Sequence, residues 1–426
     1  MRMRKRRVSF EIMTGMLLLS FMLAGCGSLR EEAREQRENP IMITILAGQS
    51  TSDAGVEDMI EEKIMKEIPG IELEWECVDW GENFDSRLCA RLASGDAPDI
   101  IIGKAQDVKT YFGTGQLAEV NKEWMEGIEK ESLESVTIDG KYYGIPFNAW
   151  YQGVIYHKKI FRELELTVPE TKEELLYVIK VLEEHGITPF ASHYMESWKA
   201  GNTTMQFMLN EVFIHNPQWG DEFRKGKQGF AGNEIMEMCL GNNRDILEHS
   251  WEDALFIDQF TCDSRFEKGE AAMYLTGSWS LQFANQYAGK GDYGIFPYPN
   301  STGDARLIRE TNMTFMKSAS TRHPETVEHI LETIIGDKEL RKEIQEFTQT
   351  YPVLKNEAPG FESCIQEDID YYEKEGRIIE AASGNSQLIW PFQNDVSVQV
   401  LLWLQGKQEL EDVLEYADEH RGDSIG

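Results

Sequence analysis

The sequence predicts an α/β protein made of two successive α/β units. Three observations carry that reading. Apolar runs and amphipathic stretches alternate as β-α-β-α-β over residues 41–103, the rhythm of a layer with a mostly parallel sheet. Near residue 139 the rhythm changes, and strand, helix and strand then begin again. The chain has 426 residues, 41% of them hydrophobic, which is enough for two or three domains with a large core.

The elements follow in order. "IMITILAG" (41–48) reads as a buried strand, and "DAGVEDMIEEKIMKEIPG" as a helix stopped by Pro69-Gly70. "IELEWECVDW" alternates apolar and polar residues, which makes a strand. A helix over about 83–94 leads to the strand "PDIIIG", where Asp99 orders the start of the strand. "DGKYYGIP" is a tight turn with extended flanks, and "GVIYHKKIF" is a strand. In "VPETKEELLYVIKVLEEHG", Thr171 and Glu174 form a capping box, Leu175, Val178, Ile179 and Leu182 an apolar stripe, and Gly186 the stop. "TPFAS" is a further strand, and residues 199–268 read as mainly helical. "AAMYLTG" and "YGIFPYP" return to extended chain. "HPETVEHILETIIG" places Val327, Ile330, Leu331 and Ile334 on one helix face, and the tail after 360 reads as helical.

Composition excludes several classes. The formal charge is −32, and −36 beyond residue 25, so no nucleic acid is expected as a partner. Beyond Cys26, the cysteines Cys77, Cys89, Cys239, Cys262 and Cys364 are odd in number and scattered, without a CxxC, so neither a disulfide framework nor a metal site is indicated. Gly289, Gly291 and Gly294 in "GKGDYG" fit GxGxxG, but they follow a helical stretch and lead into a strand, which reads as a turn. "GTGQLA" (113–118) fails for the same reason. No P-loop, HExxH, GxSxG or EF-hand pattern occurs, and no cofactor is expected.

The amino-terminal stretch carries its own signal. "MRMRKRR" holds five Arg or Lys in seven residues, and Ile12–Leu23 is almost wholly apolar. A basic head, a short apolar body and small residues make an export signal, too short for a span of roughly 20 residues. Leu23-Ala24-Gly25-Cys26 then resembles the lipobox of bacterial lipoproteins, in which the signal is cut before a cysteine that receives a diacylglyceryl group. That implies residues 1–25 as a signal peptide and a lipid anchor on Cys26, with ordinary cleavage as the competing reading. Residues 26–40 are charged, lack aromatics and read as a flexible tether.

Several stretches taken together resemble the bacterial extracellular solute-binding proteins of family 1, which feed sugar ABC transporters. They are "LASGDAPDIIIG" (92–103), "GQLAEV" (115–120), "DGKYYGIPFNAWYQGVIYHKKIF" (139–161), "VPETKEELL" (168–176), "FEKGEAAMYLTGSW" (266–279) and "TYPVLKN" (350–356). The resemblance spans about 41–426. It implies a two-lobe type II periplasmic-binding-protein-like fold with three hinge crossovers and a ligand cleft between the lobes. The crossovers fall near 148–150, 308–311 and 350–352. Lobe 1 is then 41–149 plus 310–350, and lobe 2 is 150–309 plus 351–426. The partners so implied are a carbohydrate ligand and the permease of an ABC transporter, for a monomeric, lipid-anchored receptor on the extracellular face of the bacterial membrane.

A sugar binder needs aromatic planes and planar polar groups. Trp279 matches the family's "GSW", whose Trp stacks on sugar; a Trp packed in the core is the alternative. Trp150 and Tyr151 lie on the first crossover, with a core or hinge role as the alternative. Gln49 and Ser50 end the first strand, and Gln106 and Asp107 follow the "PDIIIG" strand, so both loops should open at strand ends. Maltose-binding relatives carry a Trp and an Asp-Arg pair in that second loop; "GKAQD" has no aromatic, so their ligand is not implied. Trp198 and Trp390 complete the candidates. The competing function is a lipid-anchored glycan-processing enzyme such as a glycosidase. The crossover motifs, and the absence of a catalytic motif, favour a binding protein that is not an enzyme.

Overall fold

Strands that are apolar on both faces demand cover on both faces, and the computed structural model supplies it twice. It describes residues 40–48, 55–78, 82–281, 292–383 and 390–421. Those from 42 onward belong to one compact unit, and the account below concerns that unit. Cys26, Gln49 and Ser50 lie outside the described residues.

The first half contains β1 (Ile41–Gly48), α1 (Val56–Glu67), β2 (Ile71–Val78), α2 (Glu82–Ser94) and β3 (Ile100–Gly103). A hairpin of β4 (Thr137–Ile138) and β5 (Lys141–Tyr142) follows, then β6 (Ile145–Pro146) and β7 (Asn148–His157). Asp139 and Gly140 turn that hairpin with φ of 50° and 77°. Two successive positive φ values match the right-handed twist of the flanking strands, which is why an Asp-Gly pair stands there.

The second half begins with α3 (Lys172–Glu184), β8 (Thr188–Ala191), α4 (Trp198–Met208), α5 (Glu234–Glu248) and α6 (Gln259–Glu267). After β9 (Ala271–Gly277) come β10 (Tyr293–Phe296), β11 (Leu307–Thr311) and β12 (Thr314–Lys317). The chain closes with α7 (Pro324–Gly336), α8 (Lys338–Thr348), β13 (Tyr351–Pro352), α9 (Gln366–Lys374), β14 (Ile378–Glu380), α10 (Trp390–Leu404) and α11 (Leu410–Glu419). The capping box of α3 forms, with Thr171 Oγ1 accepting from the Glu174 amide and Glu174 reaching back to the Thr171 amide. The four apolar residues of α7 are all buried.

The first sheet has the order β2-β1-β3-β12-β6. On one face, Ile43, Ile45, Ile100, Ile102 and Phe315 pack against apolar residues of α1, α7 and α8. On the other, Leu46, Ile101 and Met316 meet Phe84, Leu88 and Leu92 of α2. The second sheet has the order β14-β11-β7-β9-β8, and β10 and β13 also pair with β7. It carries the larger core, into which α3, α4, α5, α10 and α11 send apolar side chains.

Within the first unit β1 and β3 are parallel, in keeping with its rhythm, and both sheets become mixed through strands that lie beyond it. β1–β3, β8–β9 and β11–β14 are parallel, but β12 runs against β3, and β7 runs against β9, β10, β11 and β13. The links that carry the chain from one sheet to the other are short. Phe147 alone joins β6 of the first sheet to β7 of the second, and Asn312–Met313 alone join β11 to β12.

Three passes between the sheets lie side by side. Phe147 donates to the Met313 carbonyl (2.9 Å), and the Asn312 amide donates to the Asn148 carbonyl (3.0 Å). Asn148 Oδ1 accepts from the Met313 amide (3.0 Å), and Ala149 is paired with Thr311 on one side and Tyr351 on the other. The first two links between the sheets thus fall at 147 and 312–313. The third is drawn out: β13 pairs with β7, Val353 packs in the first core and Phe361 against the second.

Asp99 locks the first sheet. Its Oδ2 accepts from the Thr44 amide and hydroxyl (both 2.9 Å), and its Oδ1 accepts from the Thr321 hydroxyl. Hydrogen bonds to a charged acceptor are worth about 1.5–3 kcal/mol each. Asp99→Ala should therefore lower the unfolding free energy by about 3 kcal/mol in urea titration. A loss within the ~0.5 kcal/mol of an ordinary surface substitution would show that Asp99 is dispensable.

Candidate functional site

At the carboxyl end of β9 the chain passes from Gly277 into a short 3-10 turn, Ser278–Leu281. Trp279 lies on that turn with its ring over Gly277, so close that a Cβ on Gly277 would collide with it. Glycine is the residue that allows a ring to rest on bare backbone. Gly277 is paired with Gln152 of β7, and Trp150 stands two residues before Gln152, on the same face. The indoles of Trp150 and Trp279 meet edge to face, centroids 6.3 Å apart at 87°, and both are half-buried. The turn is pinned from behind. The Tyr151 amide donates to Ser278 Oγ (3.2 Å), and the hydroxyls of Thr276 and Ser280 share a hydrogen bond (3.1 Å).

A chain of planar polar groups runs past the two rings. Gln152 Nε2 donates to Glu310 Oε2 (2.5 Å), and Lys104 Nζ to Glu310 Oε1 (2.7 Å). Gln152 Oε1 accepts from Asn202 Nδ2 (3.1 Å), and Asn202 Oδ1 accepts from Gln206 Nε2 (2.9 Å). Lys104 follows β3 of the first sheet, while Glu310 and Gln152 belong to the second. The Lys104–Glu310 pair is thus a bond between the two sheets, with side chains 15% and 7% exposed. At that burial the pair is held by its partners rather than by water.

The candidates divide. Trp279 and Trp150 come together. Trp198, the first residue of α4, is half-buried and lies one and two turns from Asn202 and Gln206 on the same helix face. Its ring meets buried His193 edge-on at 5.4 Å. Burial pushes the His193 imidazole down to about 4, so it is neutral at neutral pH. Gln106 and Asp107 occupy a 3-10 turn directly after Lys104; Gln106 is half-buried and Asp107 buried. Trp390 opens α10, and its side chain is not among those described.

Tyr151 does not join this group. Strand alternation sends it to the opposite face of β7, where its hydroxyl donates to Glu373 (2.6 Å) and its ring meets Tyr351 edge-on. There it borders a separate cavity of about 600 Å³, together with Arg309 and Glu129. Sequence reasoning missed Lys104, Gln152, Asn202 and Glu310. Gln152 could have been found, because period-two alternation from Trp150 selects residue 152 and rejects 151.

The lining chemistry is that of a binding surface. Indole faces cover apolar patches, while amides, a carboxylate and an ammonium offer both donors and acceptors. Among the described residues no group of His, Cys, Asp or Glu is placed to hold a metal ion. Gly294, the last glycine of the GxGxxG match, sits inside β10 rather than at a helix start, which fits no dinucleotide site. Gly277→Ala should drive the Trp279 ring off the backbone, at a cost of about 1–3 kcal/mol in stability. Near-ultraviolet circular dichroism reads the indole pair. An unchanged indole signal in the variant would show that the ring has no such dependence on Gly277.

Comparison with known proteins places this geometry. The family described as bacterial extracellular solute-binding protein matches residues 47–339. A multiple sugar-binding protein of Streptococcus mutans serotype c (strain ATCC 700610 / UA159) is 23% identical over 336 residues, 76% of this chain and 78% of that one. The maltotriose-binding protein of Pyrococcus abyssi (strain GE5 / Orsay) is 23% identical over 67% of this chain and 65% of its own. Among solved structures, a chitin oligosaccharide binding protein superposes with a TM-score of 0.74 at 21% identity, covering 90% of this chain and 98% of that one. The solute-binding protein RafE in complex with raffinose superposes with a TM-score of 0.72 at 18% identity, covering 91% and 100%. The fold is the type II periplasmic-binding fold of these structures, with its open mixed sheets. With more than half of its length, residues 47–339, matched by one family model, the chain belongs to the bacterial extracellular solute-binding protein family.

Proposed function

We propose that this protein captures a carbohydrate, of oligosaccharide size, and delivers it to the permease of an ABC transporter. The observation that carries the reading is the Trp150–Trp279 pair beside a chain of polar side chains that runs from Lys104, after β3 of the first sheet, through Glu310 and Gln152 of the second to Asn202 of α4. Sugars present flat C–H faces and rims of hydroxyls, which such a surface complements. The names of the relatives support it: multiple sugar-binding protein, maltotriose-binding protein and chitin oligosaccharide binding protein. In this reading each sheet and its helices form one lobe, and the ligand lies between them. Trp279, Trp150 and Trp198 supply the aromatic planes; Gln152, Asn202, Lys104 and Glu310 address hydroxyls. Gln106, in the turn that follows β3, belongs to the first lobe's side of the site. The relatives reported above are binding proteins, so the glycosidase alternative finds no support.

We place the protein outside the cell as a monomer held at the membrane through Cys26. The motivation is "LAGC" behind a basic head and a short apolar body. Cys26→Ala should release the protein from membranes or leave it unprocessed on fractionation. A variant that is cleaved normally and still sediments with membranes would remove the anchor from the account.

The central test is calorimetric titration with raffinose, stachyose, maltotriose, chitin oligosaccharides and monosaccharides. One of the oligosaccharides should bind saturably and be recovered unchanged. Truncating an anchoring aromatic costs about 2 kcal/mol or more. Trp279→Ala should therefore weaken binding by roughly thirtyfold, at about 1.4 kcal/mol per factor of ten. Loss of a core Trp would instead cost about 3–5 kcal/mol of stability. A large fall in melting temperature with affinity intact in the folded fraction would move the site away from Trp279.

A further inference from the structure

Two buried charged groups, Lys199 and Asp263, have no part in the reading above, and both stand behind the turn that bears Trp279. Lys199 is the second residue of α4. Its Nζ donates to the Leu275 carbonyl of β9 and lies 5.1 Å from the Tyr274 ring centroid. Asp263 comes from α6. Its Oδ2 accepts from Gln259 Nε2 (3.4 Å), and its Oδ1 is buried with no close hydrogen-bond partner. The hydroxyls of Tyr274 and Ser280 and the Lys199 ammonium all lie near enough to favour the charged carboxylate. Ser280 is the residue after Trp279 in the 3-10 turn, and its hydroxyl also meets Thr276 Oγ1 (3.1 Å). One hydroxyl therefore separates the Asp263 carboxyl from the backbone that carries the indole. A second path leads to Trp198. The Gln259 amide donates to Glu196 Oε1 (3.3 Å), and Glu196 Oε2 meets His193 Nδ1 (3.0 Å), whose ring packs on Trp198.

The proton on Asp263 decides what Ser280 does. A carboxylate only accepts, so it takes the hydroxyl hydrogen and fixes the Ser280 rotor; a protonated carboxyl brings a hydrogen of its own and releases it. Burial pushes Asp263 up to about 7 and Lys199 down to about 8, so the two are charged together only in a narrow range around neutral pH. The other titratable groups around the pair keep their charge there. Burial holds Tyr274 well above its usual range, Cys262 up at about 12 and His193 down at about 4, and the bond to His193 keeps Glu196 low. Stability follows the opposite course. The folded value of Asp263 lies above the ordinary 3.8, so the folded chain holds more protons between the two values, and stability falls as pH rises toward 7. A group kept only for stability would make acid the favourable condition; a group that sets the turn makes neutral pH favourable.

We propose that Asp263 and Lys199 are positioning residues for Trp279, and that the indole is held in place for sugar while the two form an ion pair behind its turn. The consequence for affinity rests on the carbohydrate reading; the consequence for the indole does not, so the test has two arms. Without sugar, near-ultraviolet circular dichroism of the full chain should show an indole transition with its midpoint near pH 7. Asp263→Asn, which keeps the shape of the side chain, should abolish it, as should Trp279→Phe. Lys199→Met removes the cation and should move the midpoint upward. No transition in the wild type, or one that persists in Asp263→Asn, would overturn the proposal whether or not any sugar binds. The second arm is calorimetry with raffinose, maltotriose and chitin oligosaccharides at pH 6 and at pH 7.5. About a tenth of Asp263 is ionised at the lower pH and about three-quarters at the higher, so binding should be about eightfold weaker at pH 6. The melting temperature should move the other way. Affinity that rises and falls with melting temperature would reduce both residues to structural ones and end the proposal. Absence of sugar binding with the indole transition intact would remove the carbohydrate reading and leave the positioning role standing.

Discussion

Strand β7 gives its backbone to four others, and the rest of the molecule is arranged around that sharing. Ala149, Gln152 and Val154 each have a paired residue on either side, so β11 and β10 occupy one edge while β13 and β9 occupy the other. No edge of β7 is left to accept another strand in the wrong register. Asn148 extends the arrangement by one residue, holding Asn312 and Met313 at the point where the chain leaves the second sheet for the first. Because the passes are bonded to each other, the ends of β3, β9 and β11 are brought to one region. Lys104 can therefore reach Glu310, and Trp279 can reach Trp150, although each pair is remote in sequence.

Much of this was legible in the sequence wherever the cause is local. The capping box of α3, the apolar stripe of α7 and the extent of β1 each depend on residues within a few positions of one another. Asp99 could be read as a structural residue because it sits just before a strand, though its bond to Thr321 could not. What stayed hidden is long-range. The Lys104–Glu310 pair spans 206 positions, and no periodicity within "GKAQD" or "LIRET" names its partner. The pairing of β7 with four strands joins segments far apart in the chain, which no local pattern names. Tyr151 was grouped with Trp150 because they are adjacent, which in a strand is the arrangement that separates two side chains.

The second sheet also buries ionisable groups at a cost. Burial pushes Lys199 down to about 8 and Asp263 up to about 7, and both lie close behind the turn that bears Trp279. Lys199 Nζ donates to the Leu275 carbonyl (2.5 Å) and stands 5.1 Å from the Tyr274 ring centroid. Burial raises Glu380 to about 7 even beside Arg309. Replacing such groups with hydrocarbon is often neutral or favourable for stability. Their presence here fits a role in fixing geometry, since each ties a strand to a neighbouring helix or strand through an atom with one acceptable position.

The alternation along β7 has a consequence for how this family's sequences can diverge. Trp150 faces Trp279 on one side of the strand and Tyr151 faces Glu373 on the other, and the pairing with β9 and β11 holds that parity. A substitution at either position alters one face of the strand and leaves the other alone. Adding or deleting a single residue between Phe147 and Gln152 would exchange the two faces at a stroke, setting a phenol where the indole stands and an indole against Glu373. A change of length in this segment therefore disturbs more than a change of side chain at 150 or 151.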